Sequence, residues 1–432
     1  ARVVFHRRSA VSMGAALPKP SFDAVDESRI DATLRGMSLD EKLGQMWQVD
    51  WRTMRPRPRG CASVPWLGRL MEMVVNLLPG CSSDRPLRDE DVEDVTRLAL
   101  GSVLGGGGAF PNPNTPEAWC EQGDALQRAA CATQAGVPLL IGNDTVHGQV
   151  HLEGATLFPH HIGLGCTRDA ELVERLAVLA ARESAACGIN WIFAPCATVP
   201  RDLRWGRTYE GFSEDPQLVA ELAAAEVRGL QGAGVPIAAC VKHWVADGGT
   251  EVGSGTADFA WTGAPPHVLD QGDVQCGEAE LREVHVAPYL PALEAGCLTV
   301  MASYSSVRGA KMHASKRLLT ELLKGELGFR GLVVSDYNAV QQCGPSFEAA
   351  LASCINAGVD MVMTAGGLWG DLSLEAQLRA ARRCVERGAI PLERIDDAVR
   401  RILRVKAALG LPMPAPPAAA APPAAAAAQV AS

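Results

Sequence analysis

The 432-residue chain has no run of about 18 uninterrupted apolar residues, so a membrane-spanning helix is excluded and a soluble protein is expected. It has no surplus of basic charge. The formal net charge is −9, and Lys and Arg are scattered rather than gathered in a stripe, which argues against a nucleic-acid partner and suits a neutral substrate. Its 13 cysteines form no CxxC pair and no Cys/His cluster at zinc spacing. The number is odd and most lie inside apolar patterns such as "AACATQAG" and "LASCINAGVD", as small hydrophobes of a core rather than a disulfide framework. No GxGxxG turn follows the first candidate strand, and "LGGGGAF" (104–110) lacks the Lys-Ser/Thr of a phosphate loop, so it reads as a strand-to-helix turn. What remains, 47% hydrophobic and 21% charged, is the composition of a globular protein with a large core.

The two ends differ from the middle. Residues 1–25 begin with Ala and are basic, Ser-containing and short of acids, which reads as a tail or the remnant of a processed targeting segment. Residues 412–432 are Pro/Ala low complexity, a tail or linker without the apolar variety to build a core. Between them, over 26–411, short β-rich runs alternate with helical patterns. The candidate strands are 44–50, 101–106, 137–144, 190–196, 237–244, 298–304, 331–336 and 359–364. In the helical pattern after 168, Leu172, Leu176 and Leu179 recur at helical spacing; the last helical pattern, 391–410, opens with Pro and closes with Gly. Eight strands with intervening helices predict an α/β fold, a (β/α)8 TIM-type barrel with chemistry at the C-terminal strand ends; a doubly wound open sheet is the runner-up. Residues 52–97 interrupt the rhythm as an insertion, with a helix expected in "WLGRLMEMVVNLL". A second long connection, 248–275, is expected over the barrel mouth.

The run "GLVVSDYNAV" (331–340) ends a buried-strand pattern on a charge, so Asp336 is a cap or a working group. The other strand ends collect Asp50, Asp144 with His147, the loop "RDLRWGRTYEGFSEDP" with Arg207 and Glu210, Lys242-His243 with Asp247, Tyr304, Tyr337, Met361 and Met363. Each has a plain alternative: Asp144 could cap a helix, Arg207 could bridge to Glu210, and one methionine of "DMVM" could face the core. Together they set donors and acceptors beside flat apolar surfaces, which a sugar requires.

These same segments carry a resemblance. "GNDTVHGQ", "PRDLRWGRTYEGFSEDP", "CVKHWVADGGT", "VMASYSSVRGAKMHA" and "GFRGLVVSDYNAV" resemble, in order, the motif series of glycoside hydrolase family 3, in its β-glucosidase and β-glucan exohydrolase branch. The similarity runs from residue 29 to 411. It implies a retaining, exo-acting enzyme that removes terminal β-D-glucosyl residues from a β-glucoside or β-glucan through a covalent intermediate, with Asp336 as nucleophile. Asp144, Arg207, Lys242 and His243 match positions that hold the sugar hydroxyls; Tyr304, Tyr337 and Met363 match positions at the subsite or its entrance; Asp247 and Glu210 match supporting acids. Lys242 and Arg207 are expected to keep such carboxylates charged. No metal or organic cofactor is implied, and the family favours a secreted protein, with organelle or cytoplasm left open.

The sequence also departs from the family pattern. In two-domain members the acid/base glutamate comes from a following α/β sandwich domain, and this chain stops where that domain would begin. Barrel-only members use a His in a "KHFPGHGDT"-like segment, where "KHWVADGGT" has Ala246 and Asp247 in place of Gly and His. The loop behind contains Asp258, His267, Asp270 and Asp273, and its stretch "PPHVLDQGD" could swing a donor inward. Leu203 stands where Pro is usual and Tyr337 where Trp is frequent. The competing readings are a carbohydrate-binding protein without efficient turnover and a fragment of a two-domain enzyme.

Overall fold

Apolar runs too short for helices become strands here because their neighbours on both sides are other such runs. In chain order they are β1 (Trp47–Asp50), β2 (Ser102–Gly105), β3 (Leu140–Asn143), β4 (Trp191–Ile192), β5 (Ala238–Trp244), β6 (Asp273–Val274), β7 (Thr299–Ala302), β8 (Ser306–Val307), β9 (Ala310–Lys311), β10 (Leu332–Val334) and β11 (Val362–Thr364). The structure, a computed structural model, describes residues 17–51, 89–106, 110–256, 268–365 and 372–414. Eight strands pair in parallel in the order β10-β7-β5-β4-β3-β2-β1-β11, and a parallel bridge between Val334 and Met361 joins the two ends into a barrel. The expected (β/α)8 architecture is therefore present. The helix expected within 52–88 lies outside the described residues, as do 1–16 and 415–432; helix Asp89–Arg97 leads into β2.

The strands are shorter than the sequence pattern predicts, for identifiable reasons. Gly44 and Gln45 finish helix Leu39–Gln45, which starts in a Ser38/Glu41 capping box, so β1 cannot begin before them. Pro138 and Pro195 lack an N–H for the ladder and leave β3 and β4 as pairs of a few residues. The barrel interior is partly polar: Gln48 donates to Ser102 at 2.8 Å, Ser102 donates to the Leu140 carbonyl at 2.8 Å, and the Trp191 indole donates to Thr299 at 2.8 Å. A Cβ at Gly142 would lie 2.4 Å from the Phe193 ring, so this position of β3 admits no side chain.

Helix Ala170–Ala186 buries Val173, Ala177, Ala180, Ala181 and Ser184, whereas Leu179 is exposed. The stripe is thus one position away from the leucines that the periodicity suggested. Small residues win because helix Pro216–Gly232 approaches closely: a Cβ at Gly229 would stand 2.6 Å from the Ala177 Cβ. The three-stranded sheet of β6, β8 and β9 was not anticipated. Its hairpin turns at Arg308 and Gly309, both left-handed at φ 51° and 78°, and Arg-Gly is a weaker signal for that turn than Asn-Gly.

The barrel closes over a buried ionic joint. Asp360, fully buried just before β11, accepts the Val333 N–H at 2.8 Å and Lys324 Nζ at 2.7 and 2.8 Å, and the Arg394 guanidinium binds the same carboxylate. Burial alone would raise the Asp360 pKa, but the Lys324 and Arg394 charges leave it lowered. Replacing Asp360 by Asn leaves the buried Lys324 ammonium without its carboxylate and Arg394 with Asp397 alone, and should destabilise the fold by about 3–5 kcal/mol, read as a lower urea midpoint. Lys406 is a different case. It is fully buried, donates to Gln45 at 2.6 Å, and has no carboxylate partner among the described residues. Burial pushes its pKa down to about 7. The unfolded chain, with lysine near about 10.4, therefore binds more protons than the folded one, and stability should climb with pH between about 7 and 10.4 by up to about 1.4 kcal/mol per pH unit. In paired denaturation curves across that range, the wild type should gain stability with pH relative to Lys406→Met, which lacks the group.

Candidate active site

At the C-terminal ends of the strands the chain must stop satisfying itself with ladder hydrogen bonds, and the residues it places there line a cavity of about 230 Å³. As bounded by the described residues, the wall holds Asp50, Asp144, Arg207, Lys242, His243, Asp336, Tyr337 and Met363, together with Leu104, Gly105, Gly106, Phe193 and Met301. That is smaller than the roughly 300–1,000 Å³ of drug-sized pockets, and suits one small ring.

Asp336 stands two residues past the end of β10, after Ser335. Its backbone N–H donates to His313 Nε2 at 2.9 Å, and burial pushes the His313 pKa down to about 3, which keeps that nitrogen a neutral acceptor. Oδ1 accepts the Tyr337 N–H at 2.7 Å. Oδ2 is buried without a hydrogen-bond partner among the described residues, with His243 Nε2 3.8 Å away. Burial raises the Asp336 pKa to about 6, against the opposing pull of Arg207, the Tyr337 N–H and Lys242. Arg207 and Lys242 pull toward the charged form, as expected of them, while desolvation outweighs that pull and leaves the pKa above the ordinary aspartate value.

The cations are fixed by a chain of partners. Arg207 donates Nε to Glu210 Oε1 at 2.7 Å, a second nitrogen to Oε2 at 2.9 Å, and the same nitrogen to His243 Nε2 at 2.9 Å. Since His243 Nε2 accepts, its proton sits on Nδ1, which donates to Asp247 Oδ2 at 2.9 Å. Thr198 donates to the other Asp247 oxygen, as does the Gly248 N–H at 3.1 Å. Burial, with Arg207 and Lys242 beside it, pushes the His243 pKa well below its ordinary value, so the ring is neutral. Burial also lifts Asp247 to about 6, whereas at Glu210 the Arg207 bonds overcome burial and bring the carboxyl to about 2. Lys242, itself buried, donates to the half-exposed Asp144 at 3.1 Å. Ala246, between them and Asp247, takes φ 72°, a left-handed conformation that costs a non-glycine residue about 1 kcal/mol.

The remaining sequence candidates fall into place around this. Tyr337 donates its hydroxyl to Asp50 at 2.8 Å. Tyr304 is not on the wall; its hydroxyl donates to the Tyr337 carbonyl, and burial beside Asp336 pushes its pKa well above the ordinary value. Met363 lines the cavity while Met361 is fully buried in the core. His147 is turned to the Phe158 carbonyl at 2.9 Å and packs, tilted by 37°, against the His160 ring. Asp273 holds the Gly309 N–H at 2.9 and 3.0 Å in the small sheet, and neither it nor Asp270 reaches the wall. Asp258 and His267 lie outside the described residues. The sequence did not single out Phe193, Met301, Thr198 or His313. Met301 and His313 had a signal, their place in the quoted segment "VMASYSSVRGAKMHA".

A parallel barrel with three carboxylates, a buried lysine, a half-buried arginine and apolar side chains around a cavity at its strand ends defines a class: a (β/α)8 barrel with a polar cavity at the C-terminal ends of its strands. The comparisons make this specific. Residues 38–405 match the model of the glycosyl hydrolase family 3 N-terminal domain, and the chain belongs to that family. It is 29% identical to a lysosomal beta glucosidase of Dictyostelium discoideum over 92% of this chain and 46% of that protein. With a periplasmic beta-glucosidase of Salmonella typhimurium it shares 30% identity over 64% of this chain and 33% of that one. It superposes on an exo-1,3/1,4-beta-glucanase of a Pseudoalteromonas species with a TM-score of 0.71 and 33% identity, covering 93% of this chain and 46% of the other. A beta-glucosidase of Listeria innocua in complex with isofagomine gives a TM-score of 0.66 and 28% identity over 90% of this chain and 46% of that one. The chain thus spans less than half the length of these relatives.

The balance at Asp336 can be tested directly. Its carboxyl carbon, followed by NMR, should titrate with a midpoint near pH 6. Arg207→Met, which removes an adjacent cation, should raise that midpoint by about 1–3 pH units. A wild-type midpoint at the ordinary aspartate value would contradict the dominance of burial.

Proposed function

We propose that the chain forms the glucosyl-binding barrel of a retaining, exo-acting β-glucosidase, in which Asp336 attacks the anomeric carbon of a terminal β-D-glucosyl unit. The observation that supports this best is the Asp336 carboxylate itself, on the cavity wall: Oδ1 is anchored by the Tyr337 N–H at 2.7 Å while Oδ2 is buried without a hydrogen-bond partner among the described residues. One oxygen fixes direction and the other is left to bond carbon. With a pKa of about 6, the carboxylate is mostly ionised at neutral pH and still poorly solvated. Arg207, Lys242 and Asp144 supply donors and an acceptor for ring hydroxyls; Tyr337, Phe193 and Met363 supply the apolar face.

The reaction takes two displacements. Asp336 Oδ2 forms an ester-like bond to the anomeric carbon as the glycosidic oxygen leaves with its electron pair and a proton. Water then attacks the same carbon and releases Asp336. The proton donor is the piece least evident among the described residues. The other carboxylates on the wall are already engaged, Asp50 by the Tyr337 hydroxyl and Asp144 by Lys242. The donor is therefore assigned to a group beyond them, as in a second domain or partner segment, and glycoside and glucan substrates with poor leaving groups depend on it. That same engagement favours a second reading, a sugar-binding protein without turnover.

A 4-nitrophenyl β-glucoside separates the two readings, because its leaving group scarcely needs protonation. The expected outcome is a burst of nitrophenolate approaching one per chain, slow turnover after it, and acceleration of that turnover by azide. Asp336→Asn should abolish both phases. Glucose binding with no burst would support the binding-only reading, and full hydrolysis by Asp336→Asn would refute the nucleophile assignment. The burst should also weaken as pH falls through about 6, where Asp336 gains its proton.

A further inference from the structure

The loop that carries Arg207 has little regular structure of its own. Between β4 and helix Pro216–Gly232 it forms only the short turn Thr208–Glu210, so the aim of the guanidinium depends on what grips that turn from outside. His161, the first residue of helix His161–Thr167, is 2% exposed and donates Nδ1–H to the Glu210 carbonyl at 2.7 Å. Its ring lies stacked on Phe212, centroids 4.2 Å apart. The other ring nitrogen stands 3.0 Å from Oε2 of Glu226, a carboxylate only 6% exposed in the middle of helix Pro216–Gly232. The angle is too poor for a hydrogen bond, so the contact is an ion pair.

The protonation follows from the partners. A carbonyl can only accept, so Nδ1 carries a proton; a carboxylate opposite Nε2 favours a second proton there. Burial opposes the imidazolium, yet the Glu226 carboxylate more than offsets it and leaves the His161 pKa raised. The helix is also held against the loop, since a Cβ at Gly165 would meet the Phe212 carbonyl oxygen at 1.7 Å. Neither His161 nor Glu226 is on the cavity wall. Their reach into the site runs through the Glu210 carbonyl to the Glu210 carboxylate, and from there to Arg207 by two hydrogen bonds of 2.7 and 2.9 Å.

We propose that the buried His161–Glu226 pair is a positioning element for sugar binding, gripping Glu210 by its backbone so that its carboxylate presents Arg207 to the substrate. This rests on the reading of the cavity as a glucosyl subsite. Both residues are positioning residues: they touch no reacting atom, and their loss should weaken binding rather than slow the chemistry of bound substrate.

The test uses the whole chain and three readouts: glucose affinity by calorimetry, the nitrophenolate burst, and the Arg207 Nε–H signal by NMR. His161→Phe keeps the ring and its stacking but has no donor. It should shift the Arg207 signal, weaken glucose binding and raise the half-saturating glucoside concentration, the last two by about three- to tenfold, the worth of one buried hydrogen bond. The burst rate at saturation should stay within about twofold of wild type. His161→Asn, whose amide can replace the Nδ1 donor, should recover most of the affinity, and its melting temperature controls for folding. Wild-type affinity with an unmoved Arg207 signal in His161→Phe would overturn the proposal, as would a loss of affinity that leaves that signal unmoved. If the wild-type chain binds no glucose at all, the glucosidase reading fails, and the Arg207 signal still decides whether the pair positions that side chain.

Discussion

Closing the barrel between β10 and β11 is the constraint on which everything else rests, because Asp336, Tyr337 and Met363 of the cavity wall stand on top of that seam. The seam is fastened along its whole length. At the bottom Asp360 binds the Val333 N–H, and the Ser335 N–H reaches the Met361 carbonyl at 2.8 Å. Above it the Met363 N–H donates to the Ser335 hydroxyl at 2.8 Å, the Asn338 N–H to the Met363 carbonyl at 3.1 Å, and the Ala365 N–H to the Asn338 side chain at 2.9 Å. Asp336 sits inside this stitching and inherits its rigidity. A carboxylate so placed cannot swing toward solvent, which is why burial rather than the nearby cations sets its proton affinity.

Around that fixed point the charges are arranged in order. Glu210 grips Arg207, Arg207 donates to His243, and His243 donates to Asp247, which is capped by Thr198. Each bond fixes the direction of the next, so a neutral imidazole stands near the open oxygen of Asp336 rather than a competing cation. Under the proposed function, a sugar entering the cavity meets donors and acceptors already oriented, which lowers the entropic cost of holding its hydroxyls. The same ordering reaches outward through the Glu210 carbonyl to His161.

Much of this was legible in the amino-acid sequence, and the reason is physical. A buried parallel strand is apolar along its length, so a polar residue at its C-terminal end stands out; Asp336, Asp144 and the Lys242-His243 pair are such endings, and the structure brings all four to one cavity. What stayed hidden works through backbone or through shape. His313 acts on the Asp336 N–H, and His161 on the Glu210 carbonyl, and no spacing announces a bond to a main-chain atom. Leu172, Leu176 and Leu179 looked like the buried face of their helix, but close approach at Gly229 rewards alanines instead. The raised proton affinity of Asp336 was not legible, because a sequence lists the charges and does not show the desolvation.

The most direct measurement is to incubate the protein with an activated 2-deoxy-2-fluoro-β-glucoside, which slows release of any glycosyl-enzyme, and to map the modified peptide by mass spectrometry. The account predicts one fluoroglucosyl group per chain, bonded to Asp336. Labelling of Asp50 or Asp144 instead, or steady release of the aryl group with no covalent species on Asp336, would contradict it.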